Sequence, residues 1–244
     1  MARRPAHRAS KRAPRAAPAA ASAEPTPTTD REKIIAAFLA LLADEPFERI
    51  GPADVAGQAG VSLAQLRDEF PSTLAILAAH IKATDRAVLS ADVSDMAEEP
   101  ERERLFDVLM RRLEILAPHR EAVRSLLRSA RRDPPFALAL NALVVRSQQW
   151  MLTAAGIGAS GPRGMVRAQG LAMLFASVLR TWVDDDDPGH ARTMAALDRA
   201  LGRGQRLLGL MDDVCAIPAR LSRLRPRRRR RRRRDDDYEE AAPA

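Results

Sequence analysis

Apolar residues recur at intervals of three and four positions along most of the chain between residues 30 and 210. This spacing places them on one face of a helix, whereas a half-buried strand would show strict alternation, which we do not find in any convincing segment. A polar, acidic stretch at 92–100 divides the pattern into two sections. The sequence therefore predicts an all-α fold with about nine helices.

Capping residues mark the helix starts of the first section. Thr29 and Glu32 form a capping box ahead of the first predicted helix. A short helix is predicted over 52–59, with a proline at its favoured first position. Ser62 and Ser72 each have a side chain suited to cap a further helix.

Prolines and glycines divide the second section. The Pro134-Pro135 pair is expected to separate two helices, because the residue before a proline disfavours the helical conformation. Asp187 precedes another proline and is suited to cap the last helix. The predicted helices cover 102–117, 119–132, 136–155, 163–183 and 191–210.

Residues 52–70 have the pattern of two short helices joined by a sharp turn. Gly60 can adopt the left-handed conformation that this turn requires. Small and apolar residues are spaced to fill the crossing of the two helices: Val55, Ala56, Gly60, Val61, Leu66 and Phe70. A helix-turn-helix places the start of its second helix in the major groove of DNA. The pattern predicts an N-terminal three-helix helix-turn-helix domain plus a C-terminal helical bundle; the alternative is an ordinary corner between two bundle helices.

This segment carries a resemblance to a known family. Val55-Ala56, Ala59-Gly60-Val61-Ser62 and the following Leu66, Phe70, Ser72 and Leu77 resemble the TetR/AcrR family of bacterial repressors over residues 31–90. The resemblance implies a DNA-binding domain at 30–90 and a ligand-binding and dimerisation domain at 101–217. It further implies a ligand-responsive repressor that binds a double-stranded DNA operator as a homodimer, with a small apolar ligand of unknown identity.

The resemblance also implies which residues contact DNA. They are Ser62, Leu63, Ala64, Gln65, Arg67 and Thr73. The family usually has a tyrosine where Arg67 stands and a lysine where Thr73 stands, and both generally hold phosphates. Arg67 can still contact a phosphate, whereas Thr73 lacks the charge.

The charge distribution disfavours a strong phosphate-binding surface on this domain. The chain carries a net charge of +8, but residues 1–29 contribute +5, residues 218–244 contribute +6, and the body is slightly acidic. Residues 44–80 contain two arginines and six acids. Phosphate contacts supply most non-specific DNA affinity, so the basic tails, which we expect to be disordered, could supply the missing contacts.

These departures support a second resemblance. The acidic segment 68–72 and the region 182–198 are similar to a TetR-derived family of ubiquinone-biosynthesis accessory proteins. That family keeps the fold, has a degenerate helix-turn-helix and binds lipid rather than DNA. The alternative function is therefore a lipid- or isoprenoid-binding accessory protein that does not bind DNA.

The last two predicted helices, 163–183 and 191–210, are long enough to form a dimer interface. Apolar or small residues recur on the first of them at helical spacing: Val166, Gly170, Met173, Leu174, Val178 and Leu179. The second offers Ala195, Leu197, Leu201, Leu208 and Met211. Two such helices from each subunit would form a four-helix interface, unless both only pack into the core of the monomer.

No residue pattern in the chain indicates catalysis. The four histidines lack metal-ligand spacing, and Cys215 has no candidate base near it in sequence. We therefore expect no catalytic residue, no metal and no cofactor. Three large residues are candidates to line a ligand pocket: Trp150, Met151 and Phe175. No stretch is long and apolar enough to span a membrane, and a cytoplasmic location is expected.

Overall fold

The computed structural model describes residues 29–91 and 98–206, and within these ranges it contains helices and no strand. The predicted all-α class is therefore confirmed. Most of both predicted tails, part of the acidic break and the end of the helix predicted over 191–210 lie outside the described residues. Cys215, Leu208 and Met211 lie outside them too.

The first section contains four α-helices and a short 3₁₀ turn. They are α1 (Asp30–Asp44), the 3₁₀ turn (Phe47–Arg49), α2 (Pro52–Ala59), α3 (Leu63–Glu69) and α4 (Thr73–Leu89). The capping box of α1 forms, because Thr29 Oγ1 accepts from the Glu32 amide and Glu32 Oε2 accepts from the Thr29 amide. Ser62 and Ser72 cap α3 and α4 through their hydroxyl oxygens.

The second section contains α5 (Glu101–Leu116), a 3₁₀ turn (Ala117–His119), α6 (Arg120–Arg132), α7 (Pro134–Ala154) and α8 (Gly161–Trp182). Residues 191–206, which we label α9, are helical up to the last described residue. Helix α6 ends at Arg132, before the proline pair, as predicted, but α7 begins at Pro134 rather than at the predicted residue 136. Both prolines belong to the first turn of α7, where their missing N–H groups cost nothing. Asp133 caps this helix, because its Oδ1 accepts a hydrogen bond from the Phe136 amide at 3.0 Å.

Two apolar cores meet at α6 and α7. The core of the first section includes Phe38 and Ile76, and it also takes in Ala122 of α6 and Phe136 of α7. The ring of Phe47 stacks on that of Phe136 with centroids 4.1 Å apart. The second core lies between α5, α7, α8 and α9. Because the two sections share core residues, α6 and α7 are packed against the helices that precede them.

Hydrogen bonds from two serines reinforce this junction. The Ser125 hydroxyl donates to the Glu45 carbonyl at 2.8 Å, and the Ser129 hydroxyl oxygen accepts from the Phe47 amide at 3.1 Å. Both serines are buried on α6. They satisfy backbone groups where the chain leaves α1, which fixes the 3₁₀ turn against α6.

A buried ion pair connects α4 with the second section. Asp85 of α4 accepts from Arg112 Nη1 of α5 at 2.5 Å and from the Ser147 hydroxyl of α7 at 2.7 Å. All three residues are buried. Their arrangement neutralises a guanidinium inside the protein, because its charge has a carboxylate partner that is itself hydrogen-bonded.

The turn between α8 and α9 is organised by two aspartates. Buried Asp185 accepts from the amide and the hydroxyl of Thr193, and the hydroxyl bond is the first cause that lowers the pKa of Asp185. Asp187 Oδ2 accepts from the Ala191 amide at 3.1 Å, so its side chain bonds the first turn of α9. The predicted N-cap position was wrong, because the His190 carbonyl accepts the first bond of the helix, from Met194.

Candidate nucleic-acid interface and internal cavity

The turn between α2 and α3 is a helix-ending motif with a left-handed glycine. Gly60 has φ 66°, and its amide donates to the Gly57 carbonyl. The next amide, that of Val61, donates to the Ala56 carbonyl at 3.1 Å. This pair of bonds is the Schellman motif, which ends α2 and reverses the chain within three residues.

The first turn of α3 projects away from the core. Ser62 and Gln65 form a reciprocal capping box, with the Ser62 amide donating to Gln65 Oε1 at 2.8 Å. Leu63 is 56% exposed, and Ala64 is exposed beside it. Five of the six residues predicted to fill the helix crossing lie inward: Val55, Ala56, Leu66 and Phe70 are buried, and Val61 is partly buried. The prediction was wrong for Gly60, which is exposed because it forms the turn itself. The first turn of α3 is therefore accessible to solvent and is supported by the buried residues of α2 and α3.

The polar candidates for DNA contact already have partners within the protein. Gln65 Nε2 donates to Asp30 Oδ2 of α1 at 3.2 Å. Arg67 Nη1 donates to the Pro71 carbonyl at 3.0 Å. Thr73, the first residue of α4, is partly buried. Base or phosphate contacts from Gln65 and Arg67 would therefore replace existing hydrogen bonds.

Two cations of α1 lie close to the helix-turn-helix. Arg31 pairs with Glu69 at 3.2 Å and stacks its guanidinium over the Phe70 ring at 4.3 Å. Lys33 pairs with Asp30 at 2.9 Å. Both ion pairs are exposed, so they contribute little stability and can be exchanged for phosphate contacts. Sequence reasoning missed this contribution of α1, because it depends on the packing of α1 against α3.

An internal cavity of about 290 Å³ lies among α4, α5, α6, α7 and α8. Most of its wall is apolar, as at Ile81, Leu126, Leu140, Val144 and Phe175. Its polar lining residues are His80, Thr84, Arg112, His119, Asn141 and Gln148, with the exposed Arg131 and Arg180 also present. A mainly apolar wall with a few polar groups is typical of a small-molecule site, and the volume is near the lower end for such sites, about 300–1,000 Å³.

Gln148 is the unusual polar residue of this wall. Its side chain is fully buried, and neither Oε1 nor Nε2 has a hydrogen-bond partner among the described residues. Asn141, in contrast, exchanges two hydrogen bonds with Gln169, at 3.0 and 3.1 Å. Buried amides without partners are uncommon in native proteins, so Gln148 indicates a place for a polar group inside the cavity.

The second unusual group is an imidazole that stays uncharged. Burial, as the largest cause, together with the neighbouring His119 and Arg112 lowers the pKa of His80 to about 4. The ring centroids of His80 and His119 are 5.1 Å apart in an edge-to-face arrangement. At neutral pH His80 therefore adds a polar group to the cavity but no charge.

The three residues predicted to line a ligand pocket lie in three different environments. Phe175 lines the cavity. Met151 is fully buried and Trp150 is 55% exposed, and neither belongs to the cavity wall that the described residues form. Gln148 was missed, although it occupies a position in the apolar stripe of α7, four residues after Val144. A polar residue within an apolar stripe was the feature of the sequence that could have identified Gln148 as a pocket residue.

A second cavity of about 590 Å³ lies between α5, α8 and α9. Gly170, Leu174 and Leu201 are among its lining residues. The predicted interface residues of α8 divide into two sets: Val166, Gly170 and Met173 are exposed, whereas Val178 is buried and Leu174 and Leu179 are partly buried. On α9, Leu197 and Leu201 are buried in the second core, and Ala195 is exposed.

Comparison with solved structures identifies the fold. A TetR transcriptional regulator from Nitrosomonas europaea matches 72% of this chain and 97% of its own, with 22% identity and a TM-score of 0.56. One from Rhodococcus sp. RHA1 matches 72% of this chain and 95% of its own, with 20% identity and a TM-score of 0.51. A scan against protein-family models and a search of curated proteins each found no match.

These likenesses, together with the geometry of α2 and α3, define a helix-turn-helix protein with a helical body. The chain has the fold of the TetR-type transcriptional regulators. Within the described residues, no helix is long and apolar enough to cross a membrane. Nor do these residues bring three or more histidine, cysteine, aspartate or glutamate side chains together in a position to hold a metal ion.

Proposed function

We propose that this protein is a homodimeric, DNA-binding transcriptional regulator of the TetR type whose internal cavity holds a small ligand. The observation that carries the proposal is the exposed start of α3 on the buried base formed by α2 and the Schellman turn. A protein of this kind works on chromosomal DNA in the cytoplasm and needs no catalytic site.

The start of α3 supplies the contacts with base edges. Exposed Leu63 offers an apolar surface to a thymine methyl group, and Gln65 offers an amide that can bond an adenine once it leaves Asp30. Arg67, with Arg31 of α1, supplies phosphate contacts in place of the missing lysine at 73. The basic residues of 1–29 directly precede α1 in the sequence and supply further phosphate contacts.

Helix α6 is suited to transmit ligand binding to the DNA-binding helices. One face of α6, including Val123 and Leu127, lines the cavity. Another face carries Ser125 and Ser129, which bond the backbone at the end of α1 and at the 3₁₀ turn. A ligand that favours one position of α6 therefore favours one position of α1 and the 3₁₀ turn, which changes the affinity for DNA.

The dimer forms through the exposed apolar face of α8. Val166, Gly170 and Met173 lie at intervals of four and three residues, and all three are exposed although two are large and apolar. A matching face on a second subunit would bury them in an isologous interface. Two α3 helices related by a two-fold axis then read the two halves of a palindrome.

Footprinting on the DNA that flanks the gene tests this function. We expect the protein to protect a defined palindrome, and Leu63→Ala and Gln65→Ala to weaken protection by about tenfold each, since one good base contact contributes about 1–3 kcal/mol. Gln149→Ala, on the far helix α7, is the matched control and should bind as the parent does. Uniform binding that disappears near physiological salt would assign the affinity to the arginine-rich tails and contradict the proposal.

A second candidate function is the lipid- or isoprenoid-binding accessory protein. Two observations favour it. Gln65 and Arg67 already form hydrogen bonds within the protein, and residues 44–80 contain more acidic than basic residues. Mass spectrometry of the purified protein would then detect a lipid. A lipid-free protein that shifts a defined DNA site would exclude this function.

A further inference from the structure

The Gln148 carboxamide is the strongest indication of what the cavity binds. Both of its polar atoms are buried, and the described residues offer neither a partner. Leaving such a group unpaired costs about 1–3 kcal/mol, and an apolar residue at this position on α7 would avoid the cost. A residue that carries this penalty beside a cavity is suited to bond something within the cavity.

The Gln148 carboxamide is fully paired only by a group that both donates and accepts a hydrogen bond. It presents one acceptor and one N–H₂ donor in a single plane. A ligand group with an N–H next to a C=O satisfies both at once. A carboxylate would satisfy the donor only and would leave its negative charge against Oε1. A ketone would satisfy the donor and leave Oε1 unpaired.

The electrostatics of the wall favour an uncharged ligand. Asp85 Oδ1 accepts from Arg112 Nη1 at 2.5 Å and balances its charge, while the buried Nε of Arg112 has no hydrogen-bond partner among the described residues. His80 is uncharged at neutral pH, for the reason given above. Arg131 and Arg180 are exposed, so solvent and salt screen their charges. A net charge on a bound molecule would therefore lose its hydration without gaining an unpaired counter-charge inside.

We propose that the cavity binds a small, uncharged and otherwise apolar molecule with one amide-type group, an N–H beside a C=O, which exchanges two hydrogen bonds with Gln148. Its apolar part lies against Leu126, Leu140 and Phe175. The proposal rests on the proposed function only in treating this cavity as the effector site, since binding itself does not require DNA.

Calorimetric titration of the full-length protein with three probes of equal non-hydrogen atom count tests this ligand class. The probes are octanamide, octanoate and nonan-2-one, and octanoate is ionised at neutral pH. We expect octanamide to bind about tenfold or more tightly than either of the others, because only it pairs both atoms of Gln148. Tighter binding of octanoate, equal binding of all three, or no binding of octanamide would each overturn the proposal.

The variant Gln148→Met tests whether Gln148 causes the preference for octanamide. Methionine has a similar length and fills the space without a strong hydrogen-bonding group. The variant should lose the preference for octanamide and bind nonan-2-one at least as well, and its thermal stability should not fall, because an unpaired amide has been removed. Gln149→Met, on the adjacent position and outside the cavity wall, should keep the parent's preference. A preference that survives Gln148→Met would overturn the assignment.

A separate measurement distinguishes this inference from the proposed function. The footprint is repeated with saturating octanamide. If octanamide binds through Gln148 while no defined DNA site exists, the ligand class stands and the regulatory function fails. If a defined DNA site exists while octanamide shows no preference, the regulatory function stands and the ligand class fails.

Discussion

Gly57 and Gly60 offer a matched pair of substitutions within one helix-turn-helix. No atom of the described chain outside the local backbone lies within 4 Å of a Cβ added at either position. The two differ in backbone conformation, because Gly57 lies inside α2 whereas Gly60 is left-handed with φ 66°. Alanine at the two positions should therefore change stability in opposite directions.

The magnitudes follow from the backbone alone. Gly57→Ala should raise the free energy of unfolding by about 0.5–1 kcal/mol, since glycine is the poorer helix former. At Gly60, the left-handed conformation costs a residue with a Cβ about 1–2 kcal/mol. The reduced freedom of the unfolded chain returns about 0.4–1 kcal/mol. The expected net effect of Gly60→Ala is a loss of about 1 kcal/mol.

Urea denaturation at one fixed protein concentration measures both changes, and the concentration is fixed because dimerisation adds to stability. Gly60→Asn is the control, since asparagine tolerates the left-handed conformation better than alanine does. We expect its stability to lie between those of the parent and Gly60→Ala. If Gly60→Ala were as stable as the parent, the turn would not have the left-handed geometry on which the placement of α3 depends.

Three further predictions concern the buried ion pair, His80 and the dimer interface. Asp85→Ala should lower the free energy of unfolding by about 3–5 kcal/mol in urea denaturation, because it leaves the Arg112 guanidinium buried without a partner, and adding Arg112→Met should recover most of the loss. The folded pKa of His80 of about 4 lies below its unfolded value of 6.5, so stability should fall as the pH decreases between these values; His80→Gln should flatten this part of the stability profile. Met173→Glu should convert the dimer to a folded monomer in sedimentation, whereas Leu138→Glu, at a residue 73% exposed on α7, should leave the dimer intact; a dimeric Met173→Glu would place the interface elsewhere.

Local features of the sequence were sufficient to predict much of the fold. The caps at Thr29, Ser62 and Ser72 involve residues three apart, and all three form. The left-handed conformation of Gly60 follows from the need to reverse the chain within a short turn. The end of α6 before the proline pair was predicted correctly, but the start of α7 was placed two residues late, because a proline both disfavours helix before it and fits the first turn of the next helix. Only the cap at Asp133 decides between the two.

The candidate sites depend on contacts that no local pattern contains. The bond from Gln65 to Asp30 joins residues far apart in sequence, and it requires α1 to cross beside α3. The exposure of Trp150 results from the direction of α7 against its neighbours, which periodicity alone does not determine. Gln148 was visible as a polar residue in an apolar stripe, but its lack of a partner is a property of the packed helices.

Selection from a random pool of double-stranded DNA tests whether the α2–α3 unit reads a DNA sequence. The full-length protein is incubated with the pool at physiological salt, and bound DNA is recovered and sequenced over several rounds. The account predicts enrichment of one palindrome whose half-sites lie about one helical turn apart, and loss of that enrichment in Leu63→Ala combined with Gln65→Ala. Recovery of DNA without any common sequence, or the same palindrome enriched by the double variant, would contradict it.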